Sequence, residues 1–379
     1  MNVFQTLFQN EQWTTPLPNN SPAQWVLAFG NRSLMQDSAF RKTLQTAFPE
    51  AQLMGCTTSG EIINTEIHDD SIALTAIEFE HSAIQSLSIN AKDFPSSHAA
   101  GVYLSQLLPK EGLRHVFVLS DGQLVNGTDL VKGISENLTS NIMLTGGLAG
   151  DTDRFKETVV WHNDQVEPGL IVLTGFYGNN LQVGHGSLGG WDTFGPDRLI
   201  TRSEGNILYE LDNQSALDLY KKFLGEYASE LPASALRFPL SVRQANQSES
   251  VVRTILSIDE EQQSMTFAGD MSEGAYAKLM RANFERLIDG ANDAAINAAA
   301  SIKSEKSELA ILISCVGRRL VLQQSTEDEL ESVHEVLTDD CTLCGFYSYG
   351  EISPMLQTQS CALHNQTMTI TTFSESTDA

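Results

Sequence analysis

The sequence is poor in positive charge and in long apolar runs. Its 379 residues include 23 lysines and arginines against 48 aspartates and glutamates, which gives a formal net charge of −25. Nucleic acids and anionic membranes are themselves negative, so this balance argues against both as partners. No apolar run approaches the roughly 18 residues of a membrane-spanning helix, and we therefore expect no membrane insertion.

The sequence also lacks the usual marks of export. Residues 1–13 contain neither a basic segment nor an apolar core, so we expect no signal peptide. The five cysteines are an odd number and show no disulfide framework. These features predict a cytoplasmic protein with reduced thiols.

What the sequence does contain is a strand–helix–strand pattern that occurs three times. In each copy an apolar strand ends in a small or polar turn, a helix follows, and the next strand ends in glycine and an acid. About thirty residues separate each turn from its acid, which is the length of such a unit. The pattern predicts a mixed α/β fold, with mixed sheets flanked by helices. The turns are Phe29–Asn31, Ser120–Gly122 and Cys315–Gly317, and the glycine–acid pairs are Gly60–Glu61, Gly150–Asp151 and Gly350–Glu351.

A change of composition between Gly205 and Asn213 predicts a domain boundary. A helix should follow it, starting at Asp212 or Ser215 and ending at Gly225. We therefore predict an N-terminal extension over residues 1–24, with structure beginning at Trp25. Two domains should cover residues 25–211 and 212–373, and residues 374–379 should form a disordered tail.

Two stretches share a glycine spacing with phosphate-binding loops, namely GCTTSGEI at residues 55–62 and GFYSYGEISP at residues 345–354. Glu61 and Glu351 stand where such a loop has its lysine, and a carboxylate there would repel phosphate. This argues against nucleotide hydrolysis. The stretches suit the walls of a ligand cleft, because glycines let backbone approach a ligand and hydroxyls and carboxylates hydrogen-bond to it. The alternative is that each glutamate caps a neighbouring turn.

Two arginines, Arg318 and Arg319, come just after the strand that ends at Cys315. An arginine pair can hold a ligand carboxylate through paired hydrogen bonds. It can equally form ion pairs with the acidic helix predicted at residues 327–337. We favour the structural role slightly and keep both.

The cysteines and histidines suggest three further sites. Cys341, Cys344, Cys361 and His364 have the spacing of a zinc site, but the aromatic glycine stretch between them argues against zinc. His364 fits either of two roles, a buried histidine whose hydrogen bonds are satisfied within the core or a ligand of haem iron. His185 is its rival as the iron ligand. Cys56 or Cys315 with His364 as base would make a cysteine hydrolase, although no local signature supports one.

Several motifs together resemble the FIST family. GCTTSGEI, LSDG and GGLAGD are similar to the N-terminal FIST region. Five further stretches are similar to the C-terminal FIST region, namely SEGNILYELD, EGAYAKLMRAN, SCVGRRLVL, GFYSYGEISP and CALHNQTMTI. The resemblance runs in family order from about Trp25 to Phe373, so the two predicted domains correspond to FIST N and FIST C types.

The resemblance implies an intracellular bacterial sensor of a small ligand that acts on signalling partners. One subgroup, the nitric-oxide-sensing proteins (NosP), binds haem and regulates histidine kinases or cyclic-di-GMP enzymes, and this chain is similar in carrying no attached output domain. We accordingly predict haem with His364 as axial ligand and a nitric-oxide response. The predicted partners are a histidine kinase, or a diguanylate cyclase or phosphodiesterase, in trans, and a homo-oligomer stays open.

The runner-up prediction is a sensor without haem that binds a small polar ligand such as an amino acid, held by Arg318, Arg319 and Glu351. The hydrolase comes third, and we expect no enzyme. The predicted ligand-binding residues are Gly55, Cys56, Thr57, Thr58, Gly60, Glu61, Asp121, Gly147, Asp151, Cys315, Arg318, Arg319, Phe346, Tyr347, Tyr349, Gly350 and Glu351.

Overall fold

The polypeptide forms three units of the same construction, with a further region inserted into the third. The computed structural model describes residues 1–152, 154, 156–231, 233–302 and 306–376. Unit 1 covers residues 2–78 and unit 2 covers residues 83–177. Unit 3 consists of residues 181–188 and 284–375, and the inserted region covers residues 192–281. The mixed sheets with flanking helices and repeated units confirm the predicted fold class.

The core strands follow one another in the same order in each unit, whereas the helices differ. Unit 1 contains β1 (Asn2–Gln9), β2 (Gln12–Trp13), β3 (Trp25–Gly30), α1 (Arg32–Gln36), α2 (Ser38–Ala47), β4 (Gln52–Thr57), β5 (Glu61–Ile63), β6 (Glu66–His68) and β7 (Ile72–Glu78). Unit 2 contains β8 (Ala83–Asn90), α3 (Ser97–Leu107), β9 (Leu113–Ser120), α4 (Gly127–Ser135), β10 (Met143–Leu148), β11 (Val160–His162), β12 (Gln165–Glu167) and β13 (Leu170–Tyr177).

The third unit is interrupted after its first strand. It begins with β14 (Leu181–Leu188). The inserted region then contains β15 (Asp192–Glu204), β16 (Ile207–Leu211), β17 (Gln214–Ser215), α5 (Ala216–Leu224), β18 (Leu240–Arg243), β19 (Val251–Arg253), β20 (Ile255–Asp259), β21 (Ser264–Phe267) and β22 (Tyr276–Arg281). Unit 3 resumes with α6 (Phe284–Ala300), β23 (Leu309–Cys315), α7 (Val316–Leu322), α8 (Thr326–Leu337), β24 (Thr342–Ser348), β25 (Gly350–Pro354), β26 (Cys361–His364) and β27 (Met368–Glu375). Within units 2 and 3, the helices α3 and α6 follow the first strand, and unit 1 has β2 at that place.

Each unit contributes four strands to one sheet. In unit 1, β3 and β4 are parallel, β7 is antiparallel beside β3, and β1 pairs with β7 at the far side. Strands β10, β9, β13 and β8 repeat this order in unit 2, and β24, β23, β27 and β14 repeat it in unit 3. The strands therefore keep one topology through three copies.

The first strand corrects one expectation. Ordered structure does not begin at Trp25, because β1 pairs with β7 from Asn2 to Phe8 and occupies the place that β8 and β14 hold in the other units. The strand is only half-buried, so its sequence mixes polar and apolar residues and indicates a strand weakly. At the other end, β27 continues to Glu375, into the segment for which we predict a disordered tail. Residues 377–379 lie outside the described residues.

The units exchange hairpins around a circle. The hairpin β5–β6 of unit 1 pairs with β24 of unit 3. The hairpin β11–β12 of unit 2 pairs with β4 of unit 1, and the hairpin β25–β26 of unit 3 pairs with β10 of unit 2. The sheet of each unit is thus completed by a hairpin from a neighbouring unit, which ties the three units together.

One glycine in each unit sits where the two parallel strands approach most closely. Gly55, Gly146 and Gly345 lie opposite Ala28, Val118 and Leu312 in the three parallel pairs. A Cβ atom at these glycines would lie 1.8, 1.9 and 1.8 Å from the carbonyl oxygen of the opposite residue. No side chain is tolerated at such a distance, which explains why the pattern places glycine there.

The three units meet in what we call the central ring, a closed set of three backbone hydrogen bonds. Each bond joins a residue just beyond the second parallel strand of one unit to the corresponding strand end of another unit. The bonds run from Ser59 N to Tyr347 O (2.8 Å), from Gly150 N to Thr57 O (2.9 Å) and from Tyr349 N to Leu148 O (3.3 Å). The repeated glycine–acid segments therefore converge at one point.

The three sheets face one another across a shared apolar core. Trp25 of unit 1, Phe117 and Phe176 of unit 2, and Phe373 of unit 3 are buried there. Trp25 meets the other three rings edge-on, with centroids 4.9 to 6.1 Å apart, a geometry that aromatic quadrupoles favour. Helices cover the outer faces, with α3 and α4 on unit 2 and α6 and α8 on unit 3.

The inserted region forms its own sheet around a separate apolar cluster. Its helix α5 begins after Ser215, whose side chain caps Asp218 N, and ends at Gly225, which has a positive φ of 58°. This agrees with the sequence signals for that helix. None of the helices in the described part of the chain combines the length and the apolar character that crossing a membrane requires.

Candidate functional site

A cleft of about 760 Å³ opens beside the central ring, where all three units meet. We call it the first cleft. Unit 1 supplies the turn after β3, the segment from the end of β4 to the start of β5 (Thr57–Glu61), and Asp69 and Asp70. Unit 2 contributes residues 151, 152 and 154, and unit 3 contributes α7. Its volume lies in the range of small-molecule sites, and loops from three units give it its walls.

Three arginines, one from each unit, line this cleft: Arg32, Arg154 and Arg319. Four acids line it as well, namely Glu61, Asp69, Asp70 and Asp151. The whole chain contains 48 aspartates and glutamates and 23 lysines and arginines, which is about two acids for each base. The first cleft therefore has a smaller excess of acids than the chain as a whole, and it offers both signs of charge.

Arg319 of α7 clamps unit 3 to unit 1. Its guanidinium makes a two-point contact with the Asp69 carboxylate at 2.8 and 2.6 Å, and it donates to Ser59 O at 2.6 Å. The hydrogen bond from Arg319 lowers the pKa of Asp69. The guanidinium also lies 5.7 Å from the centre of the Tyr347 ring, a cation–π geometry.

Arg32 and Arg154 are less fully engaged. Arg32 donates through Nη1 to Glu157 Oε2 at 2.6 Å, and Arg154 contacts Asp151 Oδ1 through Nε and Nη2 at 3.0 and 2.7 Å. A guanidinium carries five N–H groups. Within the described part of the chain, these contacts leave further donors of both arginines for a ligand in the cleft.

Glu61 is a buried carboxyl group on the wall of the first cleft. It accepts hydrogen bonds from Thr58 Oγ1 at 2.6 Å and from Ser71 Oγ at 2.7 Å. Burial raises its pKa to about 7, and the nearby Asp69 carboxylate also raises it. The cleft can therefore gain or lose a charge near neutral pH.

Glu351 occupies the corresponding place in unit 3 but does not line the cleft. It accepts from Ser348 Oγ at 2.7 Å and from Thr367 Oγ1 at 3.0 Å, as Glu61 does from Thr58 and Ser71. It is fully buried, and burial raises its pKa to about 8. This is the alternative in which the glutamate binds a neighbouring turn.

The arginine pair divides between the two roles that the sequence left open. Arg318 is fully buried and forms an ion pair with Glu329 of α8, with Nη2 and Oε2 2.6 Å apart. It also donates to Gly189 O and Leu287 O, while Tyr347 OH donates to Glu329 Oε1 at 2.7 Å. Arg318 thus holds α7 against the interior, while its neighbour Arg319 faces the first cleft.

The structure brings together some of the predicted ligand-binding residues and separates others. Thr57, Thr58, Gly60, Glu61, Asp151 and Arg319 line the first cleft. Cys56 and Phe346 lie in the shared apolar core. Asp121 is buried and accepts from Gln123 N, Leu124 N and Gly169 N. Tyr349 lines another cavity. Gly55, Gly147, Cys315, Tyr347, Gly350, Glu351 and Arg318 are parts of strands or buried contacts away from the cleft lining.

Neither histidine predicted for haem lines the first cleft. His364 lies in β26 opposite Glu351 and is 8 % exposed, and its Nε2 lies 3.1 Å from Ser353 O. Burial lowers its pKa to about 4, so the ring is neutral. Its rival His185 lies in β14 opposite Thr371. Because His364 is buried beside β25 and its Nε2 contacts a carbonyl, haem iron on this residue does not fit the described arrangement.

The predicted cysteine sites are also dispersed. Cys341 belongs to the cluster under α6 and α8, whereas Cys344 belongs to the shared core, so they lie on opposite faces. Among the described residues, no group of three or more His, Cys, Asp or Glu side chains could hold a metal ion. Burial raises the pKa of the Cys56 and Cys315 thiols, which disfavours the thiolate that a nucleophile needs.

Sequence reasoning missed Arg32, Arg154 and Asp69. Arg32 follows the predicted turn Phe29–Asn31, and Arg154 follows the pair Gly150–Asp151 by three residues. Both arginines lie close to a repeated strand-end motif, as Arg318 and Arg319 do, and this position is the sequence signal that could have identified them. Asp69 follows β6 in an exchanged hairpin and has no comparable signal.

Two family models match the chain along most of its length. The FIST N domain matches residues 24–214, and the FIST C domain matches residues 216–354.

The chain is also similar to a curated relative and, weakly, to a solved structure. In Methanocaldococcus jannaschii, the uncharacterized protein MJ1623 is 24% identical over 347 residues, which cover 80% of this chain and 64% of that protein. The chain thus spans less than two thirds of that relative's length. The structure of cyanuric acid hydrolase from A. caulinodans matches at a TM-score of 0.23 and 9% identity, over 78% of this chain and 68% of that chain. A similarity at this level carries no argument about fold or function.

Proposed function

Because the chain belongs to the FIST family, we propose that it is a signal-transduction sensor that binds a small, charged polar ligand in the first cleft. FIST domains are associated with signal-transduction sensing of small ligands. The observation that carries the proposal is the meeting of three arginines from three units in one cleft. Such a ligand would contact all three units at once, so its binding would report on their arrangement.

The chemistry of the cleft favours a carboxylate that also carries an amino group. Guanidinium groups recognise carboxylates through paired hydrogen bonds. The acids beside them, Asp70 and Asp151, suit an ammonium group. An amino acid carries both charges, which is why we place it first among ligand classes.

Helix α7 is the element through which we propose that binding is transmitted. It carries Arg319 on the cleft side and Arg318 on the buried side, where Arg318 binds Glu329 of α8 and the backbone of α6 at Leu287 O. A ligand that competes with Asp69 for Arg319 would loosen the clamp between units 3 and 1. A ligand shifts such an equilibrium only by binding one arrangement better than the other.

A thermal-shift screen tests the ligand class. The protein is heated with each amino acid and with the matching amide, in which the α-carboxylate is replaced by an uncharged carboxamide. Ligand binding to the folded state raises the melting temperature, so at least one amino acid should raise it while its amide should not. No stabilisation by any amino acid, or equal stabilisation by acid and amide, would contradict the proposal.

The surroundings of His364 do not favour haem, so the haem and nitric-oxide response stays a prediction that rests on the family resemblance alone. Absorption spectra after expression with haemin test it, and a Soret band that shifts with nitric oxide and disappears in His364→Ala would support it. Spectra of free haemin throughout would refute it. The predicted partners in trans and the cytoplasmic location also stay predictions. Kinase autophosphorylation measured with and without the protein tests the first partner class.

A further inference from the structure

We propose a second ligand site for an uncharged small molecule with an apolar body, in a cavity that we call the second cleft. This cavity has a volume of about 480 Å³ and lies between the turn after β9 and the inserted region. It is separate from the first cleft and shares none of its lining residues. The inference stands independently of the function proposed for the first cleft.

The repeat of the fold places this cavity where unit 2 has its counterpart of the first cleft. The turn after β3 of unit 1 lines the first cleft, and the turn after β9 of unit 2, residues 122–127, lines the second. The same backbone arrangement therefore opens two cavities. The opposite wall differs, because the second cleft is closed by β20, β21 and the residues after β21 in the inserted region.

The lining of the second cleft is neutral, unlike that of the first. No aspartate, glutamate, lysine, arginine or histidine is found among its lining residues, whereas seven charged residues line the first cleft. An ion entering an uncharged cavity loses hydration without gaining a partner. The second cleft therefore selects against the ligand class that suits the first.

Apolar side chains remain unusually exposed at this cavity. Leu124 of unit 2 is 64 % exposed and Leu256 of the inserted region is 42 % exposed, and both line it. Among the described residues, the other exposed leucines are Leu107 and Leu356. Tyr349, which is 8 % exposed, adds an aromatic residue to the lining. Covering this surface with the apolar body of a ligand would remove it from water, which is favourable.

Tyr349 connects the second cleft to the first. Its ring lines the second cleft, while its hydroxyl donates to Thr152 O at 3.1 Å, and Thr152 lines the first cleft. The backbone N–H of Tyr349 is also a member of the central ring. An occupant of the second cleft would therefore touch a residue that bonds directly to the wall of the first.

Indole is a suitable probe, and indole-3-acetate is its charged counterpart with the same apolar body. Binding to the full chain is measured by ligand-observed NMR titration at neutral pH. We expect saturable binding of indole, and at least tenfold weaker binding of indole-3-acetate. Absence of saturation up to the solubility limit of indole, or equal binding of the two probes, would overturn the proposal.

Charge variants locate the bound probe. Leu256→Asp places a carboxylate on the wall of the second cleft, and Leu107→Asp changes an equally exposed leucine on α3, which is 47 % exposed. Indole affinity should fall at least tenfold in Leu256→Asp and stay unchanged in Leu107→Asp and in Arg154→Gln, a first-cleft variant. If Leu256→Asp unfolds, Leu124→Asp in the loop replaces it. Wild-type affinity in the folded second-cleft variant, or a loss in Arg154→Gln, would refute the assignment.

Discussion

Two buried glutamates, Glu61 and Glu351, hold the same place in units 1 and 3. Each accepts a hydrogen bond from a hydroxyl three residues earlier in the chain. Each also accepts one from the residue just before β7 in unit 1 or β27 in unit 3. Their partners are neutral groups, so burial dominates and raises the pKa of both carboxyls. Both glutamates are thus structural anchors, and of the two only Glu61 also lines a cleft.

The buried carboxyl of Glu351 should make the free energy of unfolding fall as pH rises, because it ionises more readily in the unfolded chain. Burial raises its pKa from 4.5 to about 8, so between these values the folded state binds more protons than the unfolded chain. The free energy of unfolding then falls with rising pH, by up to about 1.4 kcal/mol per pH unit for one proton. Glu351→Gln should remove this contribution, as measured by urea unfolding between about pH 5.5 and about pH 7.5.

Glu335→Gln on the exposed side of α8 is the matched control. It should retain the wild-type dependence of unfolding free energy on pH. An unchanged slope in Glu351→Gln would show that the carboxyl does not take up a proton on folding.

The buried pair of Arg318 and Glu329 should be costly to break. Both side chains are fully buried, so Arg318→Met leaves an unpaired carboxylate in the interior and should lower the free energy of unfolding by about 3–5 kcal/mol. Arg286→Met removes an exposed partner of Asp192 and should cost less than about 1 kcal/mol. Chemical unfolding of both variants measures the difference, and similar losses would contradict the assigned role of Arg318.

At this scale the sequence predicted some site residues and missed others for physical reasons. Thr57 and Thr58 lie where a buried strand ends in a glycine-rich segment, which is a typical position for ligand-binding hydroxyls. Both residues line the first cleft. Arg318 and Arg319 are adjacent in sequence yet point to opposite sides of α7, which a sequence pattern cannot separate in so short a helix. Arg154 enters the cleft only because unit 2 lies against unit 1.

At the scale of secondary-structure elements, the main feature is the exchange of hairpins between units. The threefold strand–helix–strand pattern is visible in the sequence because each copy keeps its turn, its helix and its close-approach glycine. The pairing of β5 with β24 and of β25 with β10 joins segments far apart in the chain. Short strands carry no sequence signal for a partner at such separation, so the exchange could not be predicted.

Gly345 tests the close approach of the parallel strands. A Cβ atom there would lie 1.8 Å from Leu312 O, so Gly345→Ala must displace β24 and should cost about 3 kcal/mol or more. Gly274→Ala provides the control, because Gly274 has a φ of 81° but nothing within 4 Å. Its cost should be about 1–2 kcal/mol from backbone strain alone. Thermal unfolding compares the two, and a milder effect at Gly345 would contradict the register.

At the scale of the whole molecule, the three units should unfold together although two family domains divide the chain. Each of the three unit sheets contains strands from two units, and one core contains residues from all three. Native-state hydrogen exchange should therefore give similar opening free energies for amides in β3, β9 and β23. Independent opening of β3 at lower free energy would show that unit 1 is a separate folding unit.

The central claim is that the first cleft binds its ligand through arginines from different units. Isothermal titration of the amino acid that most raises the melting temperature tests it with two variants. Arg154→Gln removes a cleft arginine with a 57 % exposed side chain, and Arg286→Gln removes an arginine outside the cleft that is 59 % exposed and also paired with an aspartate. Loss of a charged hydrogen bond costs about 1.5–3 kcal/mol, so Arg154→Gln should bind roughly 10- to 100-fold more weakly while Arg286→Gln binds as wild type. Equal affinity in Arg154→Gln and the wild-type protein would contradict the account.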